Sequence, residues 1–199
     1  MKLIGKNSVS FYLSYLFLTI SVFFILHLVY QGLGHLLLYY KHESGSNLFP
    51  NAFQLGNDVG WSKNKYTEPM NDLLKFKMNY PFTETQMVTG IYGNINQIIS
   101  NLFGFLFGGA FFYISFKSFK EMGSDKLFNS NAIKWLKMFA YLNLAYAMIA
   151  LCQMFMFYGV DGFAIISIFA FTFLGIIVLF IVQFFKKGYE LQSQSDLTI

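Results

Sequence analysis

Arginine is missing from the chain, so its positive charge is carried by lysine alone. Recognition of phosphates and base edges leans on the planar, bidentate guanidinium, so this absence argues against direct nucleic-acid binding. Cysteine is almost missing as well: Cys152 stands alone, inside an apolar run. One cysteine cannot close an internal disulfide, so an exported segment must hold together by packing. Cys152 itself reads as a small core hydrophobe. Charge of either sign is scarce, at 12% of residues, against roughly 25% in soluble domains. From Asn7 to Tyr40, 34 residues pass without a Lys, Arg, Asp or Glu. No nucleophile–base pair, Gly-rich phosphate loop or HExxH-type pattern occurs, which counts against an enzyme and leaves no cofactor or metal site to expect.

What is present is apolar and aromatic: 55% hydrophobic residues, with 26 Phe and 13 Tyr. A spanning helix needs about 20 apolar residues. Four runs qualify: Ser10 to Tyr39, Asn94 to Phe116, Met138 to Tyr158, and Phe163 to Phe185. The expected fold class is an all-α membrane protein: four transmembrane helices with a small β-containing extracytoplasmic insert between helices one and two. The start, Met1-Lys2-Leu3-Ile4-Gly5-Lys6, resembles a signal-peptide n-region. The apolar stretch after it is much longer than a signal h-region of about 7–15 residues and ends in no cleavage site, so the first span should remain as an anchor. The turn Tyr158-Gly159-Val160-Asp161-Gly162 should join spans three and four as an antiparallel pair. The expected organisation is 1–40, N-terminal segment and helix 1; 41–91, insert; 92–117, helix 2; 118–137, cytoplasmic loop; 138–185, helices 3 and 4; 186–199, cytoplasmic tail.

Lysine placement sets the expected topology. Lys2, Lys6, Lys117, Lys120, Lys126, Lys134, Lys137, Lys186 and Lys187 fall at the N-terminus, between spans two and three, and at the C-terminus. An even number of spans puts these regions on one side, and positive residues beside span ends favour the cytoplasm. Both termini are therefore expected in the cytoplasm.

Segment 41–91 is then exported, its five Lys balanced by Glu43, Asp58, Glu68, Asp72 and Glu84. Leu74, Phe76, Met78 and Tyr80 alternate with Lys75, Lys77 and Asn79, the period of a strand with one buried face. Pro81 should end that strand, Thr83 to Thr89 can supply a second, and Ser44-Gly45-Ser46-Asn47 reads as a turn or loop. So short an insert is small for an independent domain, so it should rest on the helix ends.

Polar residues inside the spans are few. His27, Gln31 and His35 recur every four residues and share one face of the first span. Interhelical hydrogen bonding and packing is the leading reading, with His35 close to the outer headgroups; a proton path or metal site is the sharper one. No Asp, Glu or Cys shares that face, so a closed zinc site lacks its four ligands. On the second span, Asn94, Gln97, Asn101, Gly104 and Gly108 form a polar-to-small stripe that ends in a GxxxG pattern, which favours close helix approach. Spans three and four add Asn143 and Gln153, then Thr172 and Gln183.

Two stretches on the lysine-rich side are more distinctive. Leu127-Phe128 leads through Asn129 and Ser130, either of which can cap a helix, into Ile133, Leu136 and Phe139, which should face inward. The C-terminus reads Lys186-Lys187-Gly188-Tyr189-Glu190-Leu191-Gln192, then Asp196-Leu197-Thr198-Ile199. Beyond its lysines it looks too polar and short to fold alone. These residues resemble the uncharacterised bacterial membrane family called domain of unknown function 2975. The order of four spans, with the longest extramembrane segment after the first, is similar too; Leu127 stands where the pattern commonly has Pro. The resemblance implies a location in the bacterial cytoplasmic (inner) membrane and carries over no catalytic residues. Members are often encoded beside a small helix-turn-helix regulator.

The expected function is non-catalytic: a membrane sensor or regulatory partner of a cytoplasmic helix-turn-helix regulator. Its contacts would lie in the Lys117–Lys137 loop and the tail, through Leu127, Phe128, Leu136, Gly188 and Leu191. The alternative is a small transporter or an immunity-type envelope protein using a cavity between His27, Gln31, Asn101 and Gln153. An intramembrane enzyme ranks third. Expected partners are the lipid bilayer, that regulator and a second copy of the chain.

Overall fold

The computed structural model describes every residue except 1, 2, 4, 6, 62, 63, 66, 125, 156–161 and 197–199, and only the backbone at 195 and 196. The elements run α1 (Val9–Ser44), β1 (Phe53–Gly56), β2 (Lys75–Asn79), β3 (Gln86–Ile91), α2 (Ile95–Met122), α3 (Ser130–Gln153) and α4 (Gly162–Asp196). All four helices are long and apolar enough to cross a membrane. In lipid no water can satisfy a backbone amide or carbonyl, so long uncharged runs close their hydrogen bonds internally as helices. The protein is a multi-pass membrane protein. Two compact units divide the chain, one of Met1–Phe24 with Leu106–Ile199, the other of Ile25–Phe105. Of the expected turn Tyr158 to Gly162, all but Gly162 lies outside the described residues, as do Lys2, Lys6 and the closing Leu197-Thr198-Ile199.

Local signals account for the helix ends. Gly45 closes α1 at φ +65°, its amide donating to the Lys41 carbonyl at 3.0 Å. A left-handed residue just past a helix is the usual place for glycine. Asn129 caps α3, its side chain accepting from the Ala132 amide at 2.8 Å. Of the two capping candidates, Asn129 is the one that acts. The helices outrun the hydropathic spans: α2 continues to Met122, α3 starts at Ser130 and α4 continues to Asp196. The tail beyond Lys187, expected to be too polar and short to fold alone, is helical through Asp196 as a continuation of α4. Extending an existing helix adds one hydrogen bond per residue fixed, so polarity alone does not stop it.

In the first unit, α3 and α4 pack around Leu136, Ala140, Val178 and Val182. Gly175 permits their close approach: a Cβ there would lie 2.8 Å from Leu144 and 3.1 Å from the Ala140 carbonyl oxygen. Ile133 and Phe139 pack against the same cluster, as their spacing predicts.

In the second unit, the three strands pair antiparallel in the order β1-β2-β3. Register runs Phe53↔Met78 and Leu55↔Phe76 on one side, Phe76↔Gly90 and Met78↔Val88 on the other. The sheet rests on the second half of α1, where Leu38 joins Phe53, Phe76 and Met78 in a buried cluster. Phe76 and Met78 therefore face inward, as their alternation predicts. Lys75 and Asn79 are nevertheless buried as well, because each finds polar partners. The Lys75 ammonium donates to the carbonyls of Asn57, Asn71 and Leu73 at 2.7–3.0 Å. The Asn79 amide group donates to the Asn51 carbonyl at 2.7 Å. Thr83 lies in the β2–β3 turn rather than in a strand, and β3 continues to Ile91. β1 went unanticipated, since four residues of Phe-Gln-Leu-Gly carry too little period to stand out.

Candidate functional site

The polar face of α1 divides on contact with the sheet. His27 stacks on Phe105, with ring centroids 5.5 Å apart and planes 17° apart, and meets the edge of Tyr80 at 5.7 Å. Gln31 is only 2% exposed, and its Oε1 is buried without a hydrogen-bond partner. His35 sets its ring against Phe76 at 5.1 Å, and its Nε2 is likewise buried and unpartnered. Between them, Gly34 makes room for the sheet: a Cβ there would sit 2.7 Å from the Phe53 ring and 2.8 Å from the Met78 sulfur. The Tyr30 hydroxyl donates to the Asn79 carbonyl at 2.8 Å, and the Lys41 ammonium donates to the Phe53 carbonyl. His42 closes the series against Tyr92 at 4.7 Å.

These contacts give the three residues different neighbours: His27 meets Phe105 and Tyr80, His35 meets Phe76, and Gln31 is buried. At 1.5 Å per residue α1 is about 54 Å long, against a hydrocarbon core of about 30 Å. Towards the Met122 end of α2, the Lys117 ammonium lies 5.4–5.7 Å from the rings of Tyr113, Phe116 and Trp135. About 20 residues further along α2 lies Gln97. Gln97 already touches the sheet, donating to the Thr89 carbonyl at 3.1 Å. Since His27 lies beside Phe105, the antiparallel level of Gln97 on α1 is near His35, about 12 Å beyond His27. His35 therefore lies at the level of Gln97, where α1 and α2 both touch the sheet. Asn101 is half-buried further along α2 in the same unit.

The glycine stripe of α2 is likewise split. Nothing lies within 4 Å of a Cβ built on Gly104, whereas one on Gly108 would overlap the Phe24 ring. The close approach to α1 continues at Gly109, whose carbonyl accepts from the buried Ser21 hydroxyl at 2.8 Å. Ser10, Ser14 and Ser21 are all buried. Sequence reasoning passed over them, although Ser14 and Ser21 recur seven residues apart, the spacing of a packed helix seam. Asn143, fully buried, donates to the Phe139 carbonyl at 2.7 Å, a bond within its own helix. Gln153 lines a pocket of about 410 Å³ with Tyr146, Ala150, Phe163 and Ser167.

At the lysine-rich end the two distinctive stretches meet. The Phe128 ring lies where a Cβ on Gly188 would sit, at 2.6 Å, and packs edge-on to Phe185 at 5.4 Å. Leu136 is buried in the α3–α4 cluster and Leu127 is half-buried, while Leu191 is 58% exposed. Of the five contact candidates, only Leu191 therefore presents a largely open side chain. Among the described residues no group of three or more His, Cys, Asp or Glu side chains comes together.

Four spanning helices, with a three-stranded insert seated on the first, define a polytopic membrane protein with a sheet-bearing insert. The chain belongs to the family described as protein of unknown function (DUF2975), which it matches over residues 64–199. That match takes in both longer strands and α2 to α4, including the Phe128 and Gly188 contact. No curated protein and no solved structure matches the chain.

Proposed function

We propose that the protein is a non-catalytic sensor or regulatory partner in the bacterial cytoplasmic membrane, with the sheet outside, both termini inside and a cytoplasmic helix-turn-helix regulator as its partner. The carrying observation is the helical tail. α4 continues through Lys186 and Lys187 to Asp196, and its turn at Gly188 is held by Phe128. Tyr189 and Leu191 stand exposed beyond that clamp. An ordered helix with apolar side chains outside the membrane is a preformed docking element, because its ordering cost is met before a partner arrives.

The test is co-purification of the tagged protein with that regulator from native membranes. Leu191→Asp should abolish co-purification while leaving abundance unchanged, since the side chain touches little of its own fold. Unaltered co-purification by Leu191→Asp and by deletion of Ser193 to Ile199 would refute the tail as the contact. A small transporter or immunity-type protein is the second reading, favoured by the pocket beside Gln153. Under that reading, Ser167→Leu, which fills the pocket, should remove the cellular phenotype without loss of protein.

A further inference from the structure

An apolar groove of about 520 Å³ opens on the sheet-bearing unit, lined by Tyr30, Leu33, Leu37, Phe49, Pro81 and Phe82 among others. Its rim is unusual in two respects. Phe49 and Phe82 adopt left-handed backbone conformations, at φ +50° and +61°. Bulky side chains rarely do so, because Cβ then crowds the backbone. Both rings also point away from the fold: Phe49 is 61% exposed and Phe82 fully so. A strained backbone that turns aromatic rings outward is unfavourable in water and calls for an apolar environment outside the chain.

The level of the groove identifies that environment. Leu33 and Leu37 lie on either side of His35 within α1, Val9–Ser44, which is apolar enough to cross a membrane over its length. The β2–β3 turn that carries Phe82 begins at Tyr80, which touches His27. Leu26, Val29, Leu33 and Leu36 are exposed along α1, at the spacing of a single helix face. That face is the lipid-facing stripe of the span, and Leu33 belongs both to it and to the groove. The groove is thus the continuation of a lipid-contacting surface up to the sheet. We propose that it holds an acyl chain of a phospholipid from the leaflet bordering the sheet, with Phe49 and Phe82 set into that leaflet on either side. Neither ring carries charge, so the grip is on the chain and accepts any headgroup.

The test uses single-tryptophan variants of the full-length protein in phosphatidylcholine vesicles, with or without bromine on the acyl chains as a contact quencher. In a Trp61→Phe, Trp135→Phe background, Phe82→Trp should be quenched as strongly as Leu26→Trp in the span. Leu73→Trp, exposed in the segment just before β2, should not be quenched. Should the double replacement fail to fold, a nitroxide on Phe82→Cys in a Cys152→Ser background reports the same contact. Dissolved oxygen should then relax it more than a water-soluble nickel chelate does. An unquenched, red-shifted Phe82→Trp would place the rim in water and overturn the proposal. An unquenched, blue-shifted one would mean that protein covers the groove, a second copy or another chain, and would overturn it equally.

Discussion

Gly104 and Gly108 lie one turn apart on α2 and satisfy the same small-residue pattern, yet their surroundings predict opposite responses to one added methyl group. At Gly108 a Cβ would overlap the Phe24 ring; at Gly104 it would meet nothing within 4 Å. Inserting a methyl into a packed contact costs about 1–3 kcal/mol. Alanine returns up to about 1 kcal/mol through its better helix propensity. Gly108→Ala should therefore destabilise by about 1–2 kcal/mol, and Gly104→Ala should be neutral or stabilising by up to about 1 kcal/mol. The assay is unfolding in mixed micelles as the fraction of denaturing detergent rises, followed by helicity. Phe24→Ala adds a second arm, because it removes the ring that the new methyl would strike. Phe24→Ala alone also loses the contact with Phe112, at a centroid distance of 5.6 Å, so the quantity to read is the coupling between the two substitutions. A coupling of about 0.5–3 kcal/mol is expected for groups in contact. Equal stabilities for the two alanine variants, or additivity within about 0.5 kcal/mol, would refute the assignment of Gly108 to the α1 contact.

Lys75→Met keeps the stem but leaves three carbonyls without their charged donor, and should cost about 1.5–3 kcal/mol; faster proteolysis of the insert at unchanged α-helix content is the readout. Asn129→Ala removes the α3 cap and should cost about 0.5–2 kcal/mol, with Asn129→Ser recovering most of it in thermal unfolding. For topology, cysteines replacing Ser44 and Ser195 in a Cys152→Ala background should label oppositely with an impermeant thiol reagent. The first should react in intact cells and the second only after lysis; labelling of position 195 in intact cells would reverse the orientation.

The helices were readable from the sequence because lipid removes the alternatives. An uncharged run such as Asn7 to Tyr40 has no folded option in a bilayer except a helix, so composition alone decides its structure. β2 was readable for a different reason: Phe76 and Met78 have one apolar neighbour surface, and a period of two puts both on it. The helix ends were less readable. Hydropathy marks where lipid stops, while a helix stops where a cap, a glycine or a lost hydrogen bond stops it. Met122, Ser130 and Asp196 accordingly lie outside the apolar windows. Lys75 escaped notice for the converse reason. A lysine in an alternating strand reads as solvent-facing, and only the folded loop around Asn57, Asn71 and Leu73 supplies the carbonyls that let it be buried.

The polar face of α1 shows where the remaining ambiguity lay. His27, Gln31 and His35 are equivalent by helical spacing, and nothing in an uncharged run tells a position in lipid from one beneath protein. What separates them is contact: His27 stacks on Phe105, whereas His35 meets Phe76 beside the seat that Gly34 opens for Phe53 and Met78. Gly34 stands among large residues, but so does Gly32, where a Cβ would meet nothing within 4 Å, so the sequence does not mark the seat. The same contact buries two polar atoms without partners beside the seat, Gln31 Oε1 and His35 Nε2. An unpaired buried polar atom costs about 1–3 kcal/mol, so this contact is held less firmly than its apolar cluster alone would hold it.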